Sequence, residues 1–253
     1  MKKSISLLTA VFMAAVCTPT FAAKKKVAAE EPKDPNEMVA YLFTYFNSND
    51  PKDEQICYAL SDDGYNYTPL NDGAPVIESD TIALTQCVRD PHILRCEDGK
   101  TFYMVATDMR SSLGWASNRG MVLLKSSDLI NWERHNLDFS KLASPTFAKD
   151  KDGSDFAWAD VGCVWAPEMV WDDAANAMLI HFTVRFGTTP TRIYAAHLTD
   201  DLTALVDAPR PLLVPPTGRD FQPMFGILDS AIVKDDEEFI ERTEKYFFRW
   251  NKA

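Results

Sequence analysis

The chain has 253 residues, of which 46% are hydrophobic, enough for one large domain with a substantial core; length alone would also allow two domains. Its formal net charge is −11. A chain this acidic repels nucleic acid and anionic lipid, so we expect a neutral or cationic partner. Beyond the N-terminus, no stretch is long and apolar enough to predict a transmembrane helix.

The first 22 residues, MKKSISLLTAVFMAAVCTPTFA, have the layout of a secretory signal peptide. A lysine pair precedes an apolar run over residues 4–16, and small residues follow at the cleavage offsets. We therefore expect an exported protein, periplasmic or extracellular, cut near Ala22 or Ala23. The valine before Cys17 is a poor match to a lipidation site and argues against a lipoprotein anchor. Cleavage removes two lysines and no acid, which takes the net charge from −11 to −13.

Residues 23–37, AKKKVAAEEPKDPNE, are charged and show no apolar periodicity. Such a composition is typical of a tether. The folded domain is therefore predicted over residues 38–253.

Four cysteines remain after cleavage, and an even number in an exported chain permits two disulfides. Cys87 and Cys96 are not expected to pair with each other. An extended strand between them would separate their Cα atoms by roughly 30 Å, whereas a disulfide needs about 7 Å. Buried free thiols are the favoured alternative. The four are Cys57, Cys87, Cys96 and Cys163.

An order of strand, loop, second strand and Ser/Thr–Asp turn recurs three times after residue 38. The turns begin at Ser61, Ser127 and Thr199, with spacings of 66 and 72 residues. Short strands bounded by turn residues and repeated at a long period are typical of propeller blades. A β-sandwich is the alternative, although its strands need not recur as matched sets. The strand pairs cover residues 41–46 and 55–71, 101–109 and 120–136, and 177–186 and 191–205.

A fourth unit begins at residues 226–236, GILDSAIVKDD, and the residues after it do not repeat the pattern. At roughly 65–70 residues per unit, the folded part holds about three to four blades. A propeller of four or more blades closes its ring to protect its edges. We therefore expect either a ring completed from outside this chain or, as we favour, a chain truncated relative to a longer one.

Carboxylates near the start of each blade unit are the strongest catalytic candidates. The four histidines show no metal-ligand spacing, and neither a Gly-x-Ser-x-Gly elbow nor a phosphate-binding glycine loop is present. Because the first strand of each blade lines the axis of a propeller, Asp90, Glu168 and Asp229 are expected to converge. Glycoside hydrolysis needs such carboxylates together with aromatic faces that stack on sugar rings. The steps are RDPHIL (89–94), WAPEMV (165–170) and ILDSAIV (227–233).

These segments in combination resemble glycoside hydrolase family 43, and more narrowly its exported arabinosidase-like members. The resemblance covers about residues 38–236. It implies an all-β fold, a five-bladed β-propeller that is incomplete in this chain. It also implies inverting hydrolysis of terminal arabinofuranosyl, xylosyl or galactosyl residues. The motifs are RDPHIL, DGKTFYMVATDM, GWASNRG, KSSDLINW, VWAPEMVWD and ILDSAIVKDD.

The family uses three acids, and the resemblance carries two of them onto this chain. It implies that Asp90 is the general base and that Asp229 tunes the pKa of the acid and orients it. The general acid would be a glutamate in the following blade, which this sequence lacks; Glu168 is expected to be a pocket wall. The plainer interpretation of Asp90 is a turn leading into a strand, held extended by Pro91 and contacting Arg89. For Asp229 it is a buried, hydrogen-bonded carboxylate.

Predicted substrate-binding residues are Trp115, Trp165, Glu168 and Arg185. Trp115 lies in the polar loop SSLGWASNRG and is expected to stack on sugar. Trp165 is either a core residue or a pocket wall, and Arg185 either donates to sugar hydroxyls or pairs with an acid. Trp132 ends a blade turn and is expected in the core.

The sequence thus favours an exported glycosidase that acts on an oligosaccharide or polysaccharide, with no cofactor and no readable metal site. The second hypothesis is an inactive fragment or sugar-binding propeller without the general acid. A third, a retaining enzyme related to invertases and fructanases, is disfavoured: Cys96-Glu97 reverses their Glu-Cys step, and no Asn-Asp-Pro-Asn step appears early. The sugar, the linkage, exo or endo action and the oligomeric state are not determined by the sequence.

Overall fold

The computed structural model describes residues 39–214 and 226–232. The expected signal peptide and tether lie outside the described residues. Within them the chain is nearly all β. The strands are β1 (Tyr41–Tyr45), β2 (Cys57–Ser61), β3 (Thr68–Pro69), β4 (Val88–Arg95), β5 (Phe102–Asp108), β6 (Gly120–Ser126), β7 (Glu133–Asp138), β8 (Val161–Asp172), β9 (Ala177–Phe186), β10 (Arg192–Leu198) and β11 (Arg210–Leu213).

Helices in the described part are short. None of them is long and apolar enough to cross a membrane. They are α1 (Ser79–Ile82) and the 3₁₀ turns Asn71–Gly73, Ser111–Leu113, Phe139–Lys141 and Trp158–Asp160.

The strands form three antiparallel sheets, and in each sheet every strand pairs with its neighbour in the chain. The sheets are β1-β2-β3, β4-β5-β6-β7 and β8-β9-β10-β11. We call them the first, second and third repeats. Each predicted strand pair falls in one sheet, so the predicted recurrence is confirmed. Antiparallel meanders repeated in this way are the building plan of propeller blades.

The turn between the last two strands of each repeat is held by a hydroxyl and an aspartate two residues later. In the second repeat Ser126 Oγ donates to Asp128 Oδ1 over 3.0 Å. The turn therefore begins at Ser126, not at the predicted Ser127, because strand β6 ends one residue earlier than the sequence suggests. The equivalent pairs are Ser61–Asp63 and Thr199–Asp201.

The second repeat is buried on both faces. Along β6, Met121 and Leu123 enter a core shared with the third repeat, while Val122 and Leu124 enter a core shared with the first. Side chains alternate between the two faces of a strand, so the apolar run MVLL fills both cores at once. Three sheets packed in succession exclude the two-sheet sandwich and confirm an all-β, propeller-type arrangement.

We call the first strand of each repeat (β1, β4 and β8) its inner strand. The inner strands of successive repeats lie beside one another. Strand β4 contacts both β1 and β8. Residues of β4 and β8 therefore meet although they are far apart in sequence.

The expected fourth unit is described only over residues 226–232. These residues are not part of a strand, and residues 233–236 lie outside the described part. They run along the third repeat: the Gly226 N–H donates to Thr191 Oγ1 (2.8 Å) and the Ile227 N–H donates to the Thr191 carbonyl (3.1 Å). The segment that carries Asp229 is thereby held against the third sheet.

The four cysteines in the described part are free. Cys57, Cys87 and Cys163 are buried and Cys96 is half-buried. Strand β4 separates Cys87 from Cys96, as predicted. The buried thiols act as small apolar side chains, and burial raises the pKa of Cys163 to about 12, so that this thiol stays protonated.

Candidate active site

The inner strands of the second and third repeats share a bulge. In β4 the pairing with β5 shifts between Arg89 and His92, and in β8 the pairing with β9 shifts between Trp165 and Glu168. Each shift places one extra residue on the inner strand, which is the definition of a β-bulge. We call these the second-repeat bulge (Asp90–Pro91) and the third-repeat bulge (Ala166–Pro167).

The backbone at each bulge is left-handed. The φ angle is 49° at Asp90 and 42° at Ala166. Asp229, which lies outside the two bulges, is also left-handed, with a φ of 50°. The expectation that Pro91 holds Asp90 extended at the start of a strand is therefore wrong: Pro91 is the fourth residue of β4. The bulge overrides the local preference, because aspartate tolerates left-handed geometry better than most residues and because neighbouring strands hold it there.

Two buried threonines tie these steps together across repeats. Thr107 Oγ1 donates to Asp90 Oδ2 (2.9 Å) and accepts from the Ala166 N–H (2.9 Å). Thr183 Oγ1 accepts from the Asp229 N–H (3.1 Å). The sequence analysis missed both threonines. The available signal was a threonine in the middle strand of each repeat, at matching places in TFYMVATDM and AMLIHFTVRF.

The three carboxyls singled out from the sequence influence one another. Burial raises the pKa of Asp90, against the hydrogen bond from Thr107. Burial and then the charge of Asp90 raise the pKa of Asp229. Burial and then the charge of Asp229 raise the pKa of Glu168 to about 7. The second repeat, the third repeat and the segment over residues 226–232 thus contribute acids to one electrostatic neighbourhood.

Glu168 lies beside the neutral His181, and a second neutral histidine, His92, accepts from the next residue, Met169. His181 Nε2 is 3.9 Å from Glu168 Oε2, and His181 Nδ1 is 2.8 Å from Ser230 Oγ. Burial lowers the pKa of both His92 and His181 to about 4, so neither ring carries a charge near pH 7. The Met169 N–H donates to His92 Nδ1 (3.3 Å), which leaves the proton of that ring on Nε2. Because burial and the charge of Asp229 disfavour its ionised form, Glu168 retains its proton to an unusually high pH.

Arg89 does not pair with Asp90, which corrects the plainer interpretation of this step. Its Nη1 lies 2.9 Å from Glu54 Oε1 and 2.7 Å from Asn49 Oδ1. Glu54 is fully buried and also accepts from the Ser111 N–H (3.0 Å). One carboxylate thus joins the first repeat, the inner strand of the second repeat and the loop that leads to Trp115.

Aromatic rings and guanidinium groups alternate along this side of the site. The rings of Trp115 and Trp165 meet edge to face with centroids 6.3 Å apart, and Trp115 is 54% exposed. Arg89 lies 5.3 Å from the Trp115 ring and 4.4 Å from the Phe46 ring, and Arg185 lies 5.4 Å from the Trp165 ring. Stacked guanidinium groups fix the ring planes, and the exposed face of Trp115 is left open.

Two donors in this group lack an acceptor. Trp165 Nε1 and Arg185 Nε are buried and form no hydrogen bond within residues 39–214 and 226–232. Arg185 also has no carboxylate within ion-pair distance in that part of the chain, so the predicted alternative of an acid partner is not what the described residues show. Trp132, by contrast, packs against the core between the first and second repeats, as predicted.

Metal binding finds no support in the described part of the chain. No group of three or more His, Cys, Asp or Glu side chains there is placed to hold an ion.

Comparison with known proteins identifies the family. A family model for a domain related to glycosyl hydrolase family 43, described as "Probable glycosyl hydrolase domain", matches residues 36–245. The chain belongs to this family, and the resemblance found in its motifs is confirmed.

The match to an individual relative covers only part of that relative's length. An α-L-arabinofuranosidase of Bifidobacterium longum subsp. longum is 31% identical over 152 residues, which are 58% of this chain and 13% of that protein. The chain thus spans about an eighth of that relative's length.

Solved structures give weaker likenesses. An α-L-arabinofuranosidase of Clostridium thermocellum is 14% identical with a TM-score of 0.41, over 64% of this chain and 46% of that one. A fructofuranosidase of Schwanniomyces occidentalis is 16% identical with a TM-score of 0.46, over 70% and 31%. TM-scores below 0.5 do not decide between these two activities.

Proposed function

We propose that this chain carries part of a glycosidase site that removes terminal arabinofuranosyl residues, or xylosyl or galactosyl residues, from plant-type polysaccharide side chains. The observation that supports it is one electrostatic neighbourhood formed by Asp90, Glu168 and Asp229, with the open face of Trp115 nearby. Acid–base hydrolysis of a glycosidic bond needs paired carboxyl groups of different pKa beside an apolar, ring-sized surface.

Asp90 is the proposed general base. In inverting hydrolysis the base must be ionised, and it takes a proton from the water that attacks the sugar. A buried carboxylate with a raised pKa is a stronger base than an exposed one, provided that it still ionises. The hydrogen bond from Thr107 and the charge of Arg89 keep Asp90 ionisable despite its burial.

Asp229 is the proposed tuning residue. Its negative charge disfavours ionisation of a neighbouring carboxyl, which keeps that carboxyl protonated and able to act as an acid. Within the described residues the group it acts on is Glu168, whose pKa it helps raise to about 7. At neutral pH a substantial fraction of Glu168 therefore presents an O–H donor, whereas a typical surface glutamate presents only acceptors.

We propose Glu168 as a pocket-wall residue that donates this hydrogen bond to a sugar oxygen. The buried donors Trp165 Nε1 and Arg185 Nε are the proposed partners for further sugar hydroxyls or for water between sugar and protein. A neutral sugar also suits a chain of net charge −11. Export, expected from the N-terminal layout, would place the protein where polysaccharide is found.

The test is hydrolysis of aryl α-L-arabinofuranoside, β-xyloside and β-galactopyranoside by the full chain, with the anomer of the first product followed by NMR. Turnover of at least one substrate with inversion supports the proposal, and it should be lost in Asp229→Asn. The exposed Asp62→Asn is the matched control for a change of one charge.

Two further outcomes are informative. Retention of anomeric configuration would contradict the inverting mechanism. Sugar binding by calorimetry without turnover would favour the alternative, a carbohydrate-binding propeller. If the chain turns over and Glu168→Gln alone abolishes it, Glu168 supplies the proton and is more than a wall.

A further inference from the structure

Thr107 and Thr183 occupy corresponding places in their sheets. Each pairs with the residue directly before a bulge: Thr107 with Arg89, and Thr183 with Trp165. Both side chains are fully buried. In each case the hydroxyl accepts from the N–H of a left-handed residue on the segment packed against it, Ala166 in β8 or Asp229 in residues 226–232.

The two threonines differ in what else they touch. Thr107 has a carboxylate in its own repeat, because the second-repeat bulge carries Asp90. The third-repeat bulge carries Ala166, which offers Thr183 nothing to donate to. The same backbone joint therefore acquires a contact with an ionisable group only at Thr107.

The direction of the hydrogen bonds at Thr107 follows from the atoms present. The Ala166 N–H can only donate, so the Thr107 oxygen accepts from it. The single hydroxyl proton is then directed to Asp90 Oδ2, 2.9 Å away. A donor chain of this kind is cooperative, because each bond polarises the next. The chain ends on Asp90 Oδ2, and a buried carboxylate oxygen is stabilised strongly by a hydrogen-bond donor because it has lost its contact with water.

We infer that Thr107 is a positioning residue for Asp90, which orients the carboxylate and stabilises its ionised form by linking it to the backbone of the third repeat. A role of this residue in catalysis rests on the proposed function of Asp90. Its effect on the Asp90 carboxylate does not, since that effect exists whether or not a sugar is cleaved.

Other charges act on Asp90 as well and must stay constant in any test. Arg89 on the same strand favours its ionised form, and Glu54 from the first repeat disfavours it. Asp229, in the segment after the third repeat, is coupled to it by like charge. None of these groups contacts the Thr107 hydroxyl, so a change at Thr107 alone leaves them in place.

The experiment is a pH titration of ¹³C-labelled aspartate carboxyls in the full chain, with Asp90→Asn used to assign the Asp90 signal. Thr107→Val keeps the shape and removes the hydroxyl, and it should move the Asp90 midpoint to higher pH. Thr107→Ser keeps the hydroxyl and should restore the original midpoint. Thr183→Val is the matched control: it removes the equivalent joint and acts on Asp90 only indirectly, through Asp229, so it should move the Asp90 midpoint less than Thr107→Val does.

The unfolding midpoint in urea measures the structural support that the two threonines share, and the titration then separates positioning from support. Thr107→Val and Thr183→Val should both lower it, because each loses a hydrogen bond to the next repeat. An Asp90 midpoint in Thr107→Val equal to that of the parent protein would overturn the inference and make Thr107 a structural joint only. If Thr107→Val does not fold, Thr107→Cys, a weaker donor, is titrated in its place, with the same shift expected and the same result decisive.

The titration also separates this inference from the proposed function. A shifted midpoint in a protein that hydrolyses no glycoside would support the positioning role and contradict the glycosidase proposal. Turnover together with an unshifted midpoint would do the reverse.

Discussion

The second-repeat and third-repeat bulges have the same backbone and different chemistry. Each inserts one residue into the strand, and in each the left-handed residue is followed directly by proline. At the turning residue the second repeat has Asp90 and the third has Ala166. The comparison shows that the bulge is a property of the repeating scaffold, whereas an ionisable group is added to it by a single side chain.

The residues before the bulges differ just as much. Arg89 is fixed by a buried ion pair with Glu54, while Trp165 lies between the Trp115 ring and the Arg185 guanidinium. Arg89 is thus held in place by an ion pair and Trp165 by ring packing. A bulge at this place in a repeat can thus be supported by either kind of contact.

The largest expected effect of making the two bulges chemically alike is on turnover. Asp90→Asn makes the second-repeat bulge non-ionisable, as the third already is, and asparagine tolerates the left-handed backbone equally well. We expect kcat/KM on an aryl arabinofuranoside to fall by about 10²–10⁴-fold, the usual worth of a general base. Asp62→Asn serves as the control for a lost surface charge, and a value of kcat/KM close to that of the parent protein in Asp90→Asn would rule out Asp90 as the base.

The next effect is on stability and concerns the flank of the second-repeat bulge. Glu54→Ala leaves the Arg89 guanidinium nearly buried without its anion, which should lower the free energy of unfolding by about 3–5 kcal/mol. Urea denaturation measures this loss. The exposed ion pair Lys149–Asp155 is the control, since Asp155→Ala should cost less than about 1 kcal/mol. Equal losses in the two variants would contradict a buried, structural role for Glu54.

A third prediction concerns Glu168, the first residue that pairs with the neighbouring strand again after the third-repeat bulge. His92 is its equivalent in the second repeat. The pKa of Glu168 is raised in the folded state to about 7, so folding favours its protonated form. Its contribution to stability is complete below the usual glutamate range and is lost as pH rises toward 7. In Glu168→Gln the decline of the unfolding free energy between about pH 4.5 and 7 should therefore be shallower.

Urea midpoints across that pH range test it, with the exposed Glu97→Gln as control. Curves for Glu168→Gln and the parent protein that run parallel over the whole range would show that Glu168 titrates as an ordinary surface acid.

The smallest expected effect isolates the backbone itself. Ala166 sits at a φ of 42°, where an L-residue with a Cβ is strained by roughly 1–2 kcal/mol and glycine is not. Ala166→Gly should therefore stabilise the fold by about 0.5–1 kcal/mol after the greater chain entropy of glycine is subtracted. Ala196→Gly, in the regular strand β10, is the matched control and should destabilise. A loss of stability in both variants would mean that the third-repeat bulge carries no strain.

Most of the strand plan was predictable, and the reason is local. The alternating and continuous apolar runs of β5, β6, β9 and β10 mark strands by themselves, and the Ser/Thr–Asp turns mark their ends. The error of one residue at Ser126 and Ser127 arose because two adjacent serines look alike in a sequence. Which of them bonds to Asp128 depends on where the ladder with β7 begins.

The sequence singled out the acids of the candidate site as candidates but not the residues that support them. Asp90, Glu168 and Asp229 stand out because they recur at the start of successive repeats. The Thr107–Ala166 and Thr183–Asp229 contacts join residues 59 and 46 positions apart, and no local pattern announces them. The extended geometry expected for Asp90 failed for the same reason, since the strand neighbours outweigh the preference set by Pro91.

The sequence by itself determined that the chain is a series of antiparallel sheets with an acid near the start of successive units, because strand periodicity and turn residues act over a few positions. Only the tertiary structure decided how those acids are held. The threonine joints and the burial of Glu54 beside Arg89 arise where one repeat packs on the next segment, and the bulges and the neutral His181 beside Glu168 arise where strands pair within a sheet. Burial and hydrogen bonding, which set the pKa of each carboxyl, are properties of that packing and not of any single segment.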